Sequence, residues 1–401
     1  MLIPGRGNYS LLFTFQFTEE HNMPGFIRTI LSGLIIAFQV LQGIFGMPLD
    51  TLVFNFETQP IVFETGDDMY TVMWTTTKCG TGKVTYTYNG TEYTATDHVG
   101  GNIRFNDKIH SVRVPKKHLD NNTYTVSSQL IPFKGAYSAV KGKTITSEPI
   151  NFKGYNNQEA VNALILSDIH GITEAMYKAV ASFEEKPDII ILNGDIADHM
   201  MTKEQFLQIL DISRELSNGE IPVVYARGNH EPRGAYASEF VAYFKTSTGN
   251  LYYTFNYGPV WAVVLDCGED KPDDHAEYSG LVDFSTYINT ETQWLKNLSP
   301  DTTEITKYRL CITHNTAIWD EYGNDWTPEL ERLEIDDAIF GHLHRLDLRF
   351  SEGKTSFSQH VTGGKNGAGF IATMMTFSGD RITFVSKDET GAICGEYSRT
   401  I

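Results

Sequence analysis

Val161-Asn-Ala-Leu-Ile-Leu-Ser167 is a nearly continuous apolar run, and Asp188-Ile-Ile-Ile-Leu-Asn193 repeats the pattern further along the chain. Runs of this kind are typical of strands that are buried on both faces, as the strands of parallel sheets are. Residues 174–185 between them favour a helix, and residues 202–216 favour a second one. Because strand and helix alternate, the sequence predicts a layered α/β domain over residues 160–401.

Polar residues that can bind a metal follow the predicted strands of this α/β region. Three more apolar runs supply further strands, at residues 221–226, 260–265 and 308–313. Binding groups in such a fold gather at the carboxyl ends of its strands. The residues at those ends are Asp168-Ile-His170, Gly194-Asp195, Gly228-Asn229-His230-Glu231, Thr313-His314-Asn315 and Gly341-His342-Leu-His344.

The spacing within these blocks suits a shared metal site. Residues at positions i and i+2 of an extended segment project to the same face, so Asp168 and His170 can present two ligands together, as can His342 and His344. The glycines that begin three of the blocks permit tight turns where the backbone approaches a site closely. One such block alone is more often part of a surface loop. Five of them in one domain predict a metal centre.

The order of the five blocks resembles the calcineurin-like metallophosphoesterase superfamily, whose pattern is D-x-H, G-D, G-N-H-D/E, a strand-end His and G-H-x-H. The resemblance covers residues 160–401. It implies a layered β-sandwich flanked by helices, with a dinuclear metal centre that cleaves phosphate esters. One metal would be bound by Asp168, His170, Asp195 and His344, and the other by Asp195, Asn229, His314 and His342.

The ligands implied by this resemblance are carboxylate, imidazole and amide groups. Such a set suits two divalent transition-metal ions, Mn²⁺, Fe²⁺ or Zn²⁺, better than Ca²⁺. Two divalent ions against the carboxylates of Asp168 and Asp195 leave about two positive charges, which attract a phosphate. Two metals also lower the pKa of a shared water and stabilise both the attacking and the departing oxygen of an in-line displacement.

Catalytic roles are implied for the block Asn229-His230-Glu231. His230 is absent from both ligand sets, so by resemblance it protonates the leaving alkoxide or neutralises the phosphoryl group. Asn229 is a ligand, and Glu231 is expected to hold the His230 ring in orientation. Arg227 is expected either to contact phosphate or to be structural.

A β-rich region precedes the α/β region, and this architecture resembles that of the purple acid phosphatases. The match to that branch is incomplete. Purple acid phosphatases have Gly where this chain has His170 and an iron-binding Tyr where it has Asp198, so a ferric tyrosinate is not expected. Asp198 and His199 lie close to Asp195 in the sequence, and they either line the pocket or begin a solvated helix.

Two other segments of the α/β region have an unusual composition. Residues 269–278 are rich in acidic residues and form either an acidic rim over the site or a solvated loop. Residues 363–369 are rich in glycine but lack the spacing of a phosphate-binding loop, so they are predicted to be a turn.

Residues 51–152 consist of short runs with a period of two. Thr, Val and aromatic residues alternate in runs that are separated by turns such as Asn89-Gly90, which favours antiparallel strands. About 100 residues of this pattern predict one small all-β domain of the fibronectin type III-like kind. His98, His110 and His118 are expected at its surface.

The first 46 residues have the layout of a leader. From Met23, a possible true start, basic Arg28 precedes an apolar run that ends at small residues near Gly46. This predicts a signal peptide or an uncleaved N-terminal anchor, and therefore an exported protein that is secreted, periplasmic or on the cell surface. Contact with a membrane is expected only through this segment. The alternative is a buried helix of the fold.

The charge of the chain argues against nucleic acid as a partner. Its 32 Lys and Arg against 50 Asp and Glu give a formal net charge of −18, which offers no overall basic surface. Four widely spaced cysteines indicate neither a disulfide framework nor a thiolate metal site, and they are expected in the core. They are Cys79, Cys267, Cys311 and Cys394.

The sequence thus predicts a metal-dependent hydrolase of small phosphate esters, with monoesters favoured. Phosphodiester hydrolysis stays open, because the two activities share the same metals and the surrounding pocket decides between them. A protein of a different class, which binds a partner through its β-rich region and has lost activity, is the other alternative. The intact ligand blocks argue against it.

Overall fold

The computed structural model describes a large part of the chain in atomic detail. No helix of that part is long and apolar enough to cross a membrane. The predicted leader lies almost wholly outside it, so the leader stays a prediction. The described residues are 29–30, 33–34, 36–37, 53–316 and 325–401.

The chain divides into two compact units. One consists of residues 51–131 and 142–401, and the other of residues 1–50 and 132–141. The predicted boundary between residues 152 and 160 lies inside the first unit, and the division of the chain at that point stays a prediction.

Antiparallel strands and a helical turn, α1 (Lys116–Leu119), make up residues 53–152. The strands are β1 (Ile61–Glu64), β2 (Met69–Gly80), β3 (Lys83–Tyr88), β4 (Thr91–Thr96), β5 (His98–Val99), β6 (Asn102–Ile103), β7 (Asp107–Pro115), β8 (Asn122–Gln129), β9 (Phe133–Lys134), β10 (Ala139–Val140), β11 (Thr144–Thr146) and β12 (Ile150–Phe152).

The described residues after 152 form both helices and strands, and the last six strands follow one another without a helix between them. The helices are α2 (Thr173–Ala181), α3 (Lys203–Ser217), α4 (Ala237–Phe244), α5 (Phe284–Asn297) and α6 (Thr327–Arg332), with a 3₁₀ turn at Ala276–Tyr278. The strands are β13 (Ala160–Leu166), β14 (Ile189–Asn193), β15 (Val223–Ala226), β16 (Tyr253–Tyr257), β17 (Val260–Val264), β18 (Tyr308–Ile312), β19 (Asp337–Phe340), β20 (Arg345–Asp347), β21 (Ser358–Asn366), β22 (Gly369–Ser378), β23 (Arg381–Asp388) and β24 (Ile393–Thr400).

Two sheets of the larger unit pack against each other and share strand β21. One has the order β16-β17-β18-β19-β21, and the other has the order β21-β22-β13-β14-β15-β1-β2-β7. β21 passes from one sheet to the other at Gly363 and Gly364, whose φ angles are 104° and 103°. Glycine adopts such angles at little steric cost, so this pair allows the strand to bend.

Alternate residues of the central strands face different cores, which explains their continuous apolar character. In β13, Ala163 and Ile165 pack between the two sheets, whereas Leu164 and Leu166 pack under helices α2, α3 and α4. A third core lies between the other sheet and helices α5 and α6. The predicted layered α/β fold, with a β-sandwich flanked by helices, is confirmed.

The strands of the N-terminal region are continuous with this α/β fold. β1 pairs in parallel with β15, where Phe63 lies opposite Val223, and β2 and β7 extend the same sheet. A second sheet, β11-β8-β3-β4, packs against them around a core that includes Trp74, Tyr86 and Tyr124. The fibronectin type III-like label for this region stays a prediction.

Three residues of the N-terminal and C-terminal strands differ from the sequence-based expectation. His110 is buried rather than exposed, because it shares the inward face of β7 with Val112 and Val114. Cys79 and Cys394 are exposed, whereas Cys267 and Cys311 lie in the core as expected. All four cysteines are free thiols.

His110 should make the fold sensitive to acid. Burial lowers the pKa of its ring to about 3, so the folded protein holds it neutral, with Nε2 2.9 Å from Thr76 Oγ1. An unfolded chain binds a proton there below the ordinary histidine pKa of about 6.5, so this side chain should lower stability as the pH falls from about 6.5 to about 3. Between pH 7 and pH 5 the loss is about 2 kcal/mol.

We expect His110→Gln to remove most of this pH-dependent loss. Urea unfolding at pH 7 and pH 5 measures it, and the same substitution at exposed His98 is the control. An equal loss of stability in the wild-type chain and in His110→Gln would contradict this role for His110.

Candidate metal centre

Five strand ends carry the predicted ligands to one edge of the molecule. In four cases the ligand lies two residues beyond the end of its strand: Asp168 after β13, Asp195 after β14, His314 after β18 and His342 after β19. Asn229 lies three residues beyond the end of β15. Because these strands are neighbours in the two packed sheets, blocks that are far apart in sequence converge.

The first group of side chains consists of Asp168, His170, Asp195 and His344. Each offers one ligand atom, and these atoms lie within 4.8 Å of one another. Nε2 of His344 is 3.3 Å from Oδ1 of Asp168 and 3.3 Å from Nε2 of His170. Nε2 of His170 is 3.6 Å from Oδ2 of Asp195. Two carboxylates and two imidazoles therefore converge on a small volume.

A second group consists of Asp195, His314 and His342, whose ligand atoms also lie within 4.8 Å of one another. Nε2 of His314 is 3.2 Å from Oδ2 of Asp195. Asn229 joins this group, because its Oδ1 lies 2.9 Å from Nδ1 of His342. Asp195 belongs to both groups, so two ions bound here would share its carboxylate.

The backbone is left-handed at five of these side chains. Asp168, His170, Asp195, His342 and His344 have φ angles of 50°, 44°, 53°, 67° and 50°. This conformation costs a residue other than glycine about 1–3 kcal/mol and persists only where the surrounding structure enforces it. Main-chain hydrogen bonds contribute here, since the Asp168 N–H donates to the Gly194 carbonyl (3.0 Å).

Glycines make room for the ligands. A β-carbon on Gly228 would lie 2.2 Å from Oδ1 of Asp195, and one on Gly194 would lie 2.4 Å from Nδ1 of His314. One on Gly341 would lie 2.7 Å from Oδ2 of Asp168. These contacts are shorter than real β-carbons make, so each of these positions needs the absence of a side chain.

The electrostatics of the site favour a positive charge. Burial by itself lowers the pKa of His314, but the carboxylates of Asp195 and Asp168 outweigh it and raise that pKa to about 10. Burial by itself raises the pKa of Asp195, but His314 reverses the shift and lowers it. Within the described residues, Nε2 of His314 is buried and makes no hydrogen bond of acceptable geometry, although Oδ2 of Asp195 is 3.2 Å away. A metal ion would supply both the charge and the missing partner, so the donor set fits such an ion.

The comparison with protein families decides the class of the chain. Residues 161–346 match the family model for the calcineurin-like phosphoesterase. Residues 161–346 are therefore a domain of this superfamily. This domain makes the protein a metal-dependent phosphoester hydrolase, and the matched residues include all five strand-end blocks. A search of curated proteins returned no match.

Solved structures resemble this metallophosphoesterase to different degrees, and the first of them shares its fold. A purple acid phosphatase from seeds of yellow lupin (Lupinus luteus) is 13% identical, with 85% of this chain and 74% of that chain covered and a TM-score of 0.53. PhoD is 14% identical, with coverage of 86% and 90% and a TM-score of 0.49. Vacuolar protein sorting 29 of Cryptosporidium parvum is 12% identical, with coverage of 61% and 100% and a TM-score of 0.33. At such identities, the lupin enzyme is evidence of a common fold only.

His230 and Glu231 of the metallophosphoesterase lie beside Asp195 but make different contacts from those expected. The Glu231 carboxylate accepts hydrogen bonds from the main-chain N–H groups of Asp195, Ile196, Ala197 and Gly228, at 2.7–3.2 Å. Nδ1 of His230 instead lies 2.8 Å from the main-chain oxygen of Asp198. Glu231 therefore shapes the turn around Asp195, and another residue holds the His230 ring.

Ion pairs decide between the alternatives for Arg227 and for the acidic segment at residues 269–278. The Arg227 guanidinium is buried against Asp266, with Nη2 2.8 Å from Oδ2, which assigns it the structural role. The Glu269 side chain is buried and pairs with Arg233 at 2.7 Å, and Asp270 pairs with the same arginine at 3.2 Å. The segment is thus neither a bare acidic rim nor a fully solvated loop, since its first two carboxylates are neutralised.

Three residues near the centre make contacts that the sequence analysis did not predict. Gly364 lies against the site, since a β-carbon there would be 2.9 Å from Cβ of Asp168. The carbonyl of Asn193 accepts a hydrogen bond from Nδ1 of His314 at 2.7 Å. Asp198 contacts His170, with 2.7 Å between Oδ1 and Nδ1. The pair Gly363-Gly364 could have indicated in the sequence that the backbone comes close to the site. The other two contacts depend on loop geometry.

Gly228→Ala should damage the metal centre. The added methyl group must displace the Asp195 side chain, and overpacking of this kind costs about 1–3 kcal/mol of stability. We expect lower metal content and lower activity in a protein that still folds. Metal analysis with a thermal melt measures this. Gly280→Ala is the control for metal content, because its added carbon meets no atom within 4 Å and its strain is confined to the left-handed backbone at that position (φ 67°). Wild-type metal content in Gly228→Ala would contradict the close fit.

Proposed function

We propose that the chain hydrolyses small phosphate esters, with monoesters favoured, at a centre of two divalent transition-metal ions. The observation that carries this proposal is the pair of ligand groups that share Asp195. The proposed ligands are Asp168, His170, Asp195 and His344 for one ion, and Asp195, Asn229, His314 and His342 for the other. Mn²⁺, Fe²⁺ and Zn²⁺ suit these donors.

The surrounding side chains suit the reaction. Two such ions, when bound, supply an activated water and stabilise charge on the phosphoryl oxygens. The His230 ring faces the same space, with Nε2 3.9 Å from Oδ2 of Asp195. Because its Nδ1 hydrogen is held by a carbonyl oxygen, the imidazolium form of His230 can deliver its second proton, the one on Nε2, to the leaving oxygen. The side chain is partly exposed, so it can exchange that proton with water.

Charge supports the preference for monoesters. Two divalent ions against Asp168 and Asp195 leave about two positive charges, which match a dianionic phosphate monoester. The nearby guanidinium groups of Arg227 and Arg233 are already paired with carboxylates. The phosphoryl charge must therefore be balanced mainly at the metal centre itself.

The test combines metal analysis with two chromogenic esters. We expect close to two transition-metal ions per chain, and faster turnover of p-nitrophenyl phosphate than of bis-p-nitrophenyl phosphate. The reverse order would favour a phosphodiesterase on the same site. A protein that binds no metal and cleaves neither ester would favour a non-catalytic binding protein.

We also propose that the chain is exported. The apolar run from residue 26 to residue 46 after a basic residue supports this. Cell fractionation with N-terminal sequencing tests it, and a cytoplasmic protein that retains residues 26–46 would exclude it.

A further inference from the structure

Asp198 contacts two histidines of the centre at once, through different atoms. Its Oδ1 lies 2.7 Å from Nδ1 of His170, and its main-chain oxygen lies 2.8 Å from Nδ1 of His230. The two imidazole rings meet nearly edge to face, with their centroids 4.7 Å apart. One residue therefore anchors a proposed metal ligand and the proposed proton donor.

These contacts determine which ring nitrogen carries a hydrogen. A carbonyl oxygen can only accept a hydrogen bond, so Nδ1 of His230 must be the donor. An ionised carboxylate is likewise an acceptor only, so Nδ1 of His170 donates to Asp198. Nε2 of each ring then faces the centre, at 3.6 Å from Oδ2 of Asp195 for His170 and 3.9 Å for His230.

We propose that Asp198 is a positioning residue with two separable parts. Its carboxylate holds His170 in the tautomer that directs the Nε2 lone pair at the first metal ion, and its main-chain carbonyl holds His230 with Nε2 turned to the substrate. The inference rests on the proposed function and adds a residue to it. Carboxylates that hold the second nitrogen of a ligating histidine typically contribute 10–100-fold to metal affinity.

Other groups near these rings do not provide the same support. The Glu231 carboxylate is occupied by main-chain N–H groups. The Asp198 side chain is 59% exposed, so it contacts His170 from the solvent side while Asp195 lies on the buried side. The Asp198 carboxylate is thus directed to the histidine.

The two parts can be separated by one substitution, because Asp198→Asn keeps the main-chain carbonyl and changes only the carboxylate. We expect the affinity of the first site for Zn²⁺ to fall about 10–100-fold, with the second site unchanged. Calorimetric titration of the full-length, metal-free chain with Zn²⁺ measures both steps. At saturating Zn²⁺, the ratio of alkyl to aryl phosphate rates should stay at the wild-type value, since His230 keeps its partner.

The controls are a matched charge change and a conservative variant. Asp274→Asn removes a negative charge from an exposed position and should leave both affinities unchanged. Asp198→Glu retains a carboxylate and should recover part of the lost affinity. Equal Zn²⁺ affinities in Asp198→Asn and the wild-type chain would overturn the inference while the proposed function stands. A wild-type chain without metal binding and ester hydrolysis would overturn the proposed function instead.

Two further measurements test the role of Asp198, and the first needs only the wild-type chain. Long-range ¹H–¹⁵N spectra of the zinc-loaded protein should place the hydrogen of His170 on Nδ1, and a hydrogen on Nε2 would overturn the inference. His170, Asp198 and His230 also lie close enough together to hold an ion themselves. A stoichiometry of three ions per chain, with the third lost in Asp198→Asn, would assign Asp198 as a ligand and overturn its role as a positioning residue.

Discussion

Asp195→Asn should give a folded protein that has lost most of its bound metal at both positions. The Asp195 carboxylate belongs to both ligand groups, and an amide carries no charge to balance two divalent ions. Loss of a residue that only supports a ligand already costs about 10–100-fold in affinity or activity. Loss of a shared ligand should cost more, and we expect kcat/KM to fall by more than about 100-fold.

Metal analysis and the rate with p-nitrophenyl phosphate measure this on the same preparation. Asp270→Asn is a suitable control, because it removes a carboxylate that pairs with Arg233 and lies outside both ligand groups. Two bound metals and normal turnover in Asp195→Asn would exclude a centre bridged by this residue.

His230→Ala should slow alkyl phosphates far more than p-nitrophenyl phosphate. An alkoxide leaves poorly without a proton, whereas p-nitrophenolate is stable on its own. Removal of a general acid typically costs about 10²–10⁴ in rate where the leaving group needs a proton. Both metals should stay bound, because the contact of residue 230 with Asp195 is through its main-chain N–H (2.9 Å), which alanine retains.

The pattern of rates distinguishes the functions that His230 can have. A lost ligand would empty a site and slow both esters by similar factors. Equal slowing with both metals intact would indicate phosphate binding or charge stabilisation. His98→Ala, at an exposed strand remote in sequence from the ligand blocks, is the control for loss of a histidine.

The convergence of the ligand blocks could be predicted, because the carboxyl ends of parallel strands meet at the same edge of a sheet. A buried strand such as β13 is recognisable by its apolar residues, and the residue just beyond its carboxyl end must lie at the edge of the sheet. The burial of His110 could also have been predicted, because Val112 and Val114, which lie on the same face of the strand, are apolar. The period-two pattern of this strand was identified correctly, and His110 was expected at the surface only because histidine is polar.

The contacts of Asp198 and Glu231 could not be predicted in the same way. Both residues lie in loops, where the direction of a side chain follows from left-handed backbone angles such as that of Asp195 (53°) rather than from a repeating pattern. Asp198 and Glu231 are both acidic residues close to a ligand block. Only the path of the chain shows that one contacts His170 and the other contacts main-chain N–H groups.

The pairing of β1 with β15 constrains how the chain folds during its synthesis. Phe63 in β1 has its partner, Val223, far along the chain, and Leu164 in β13 pairs with Met374 near the C terminus. Contacts between residues so distant in sequence form slowly, because a long loop must close first. The strands of the N-terminal region will emerge from the ribosome well before their partners. Their unpaired edges are open to aggregation until the partner strands are made.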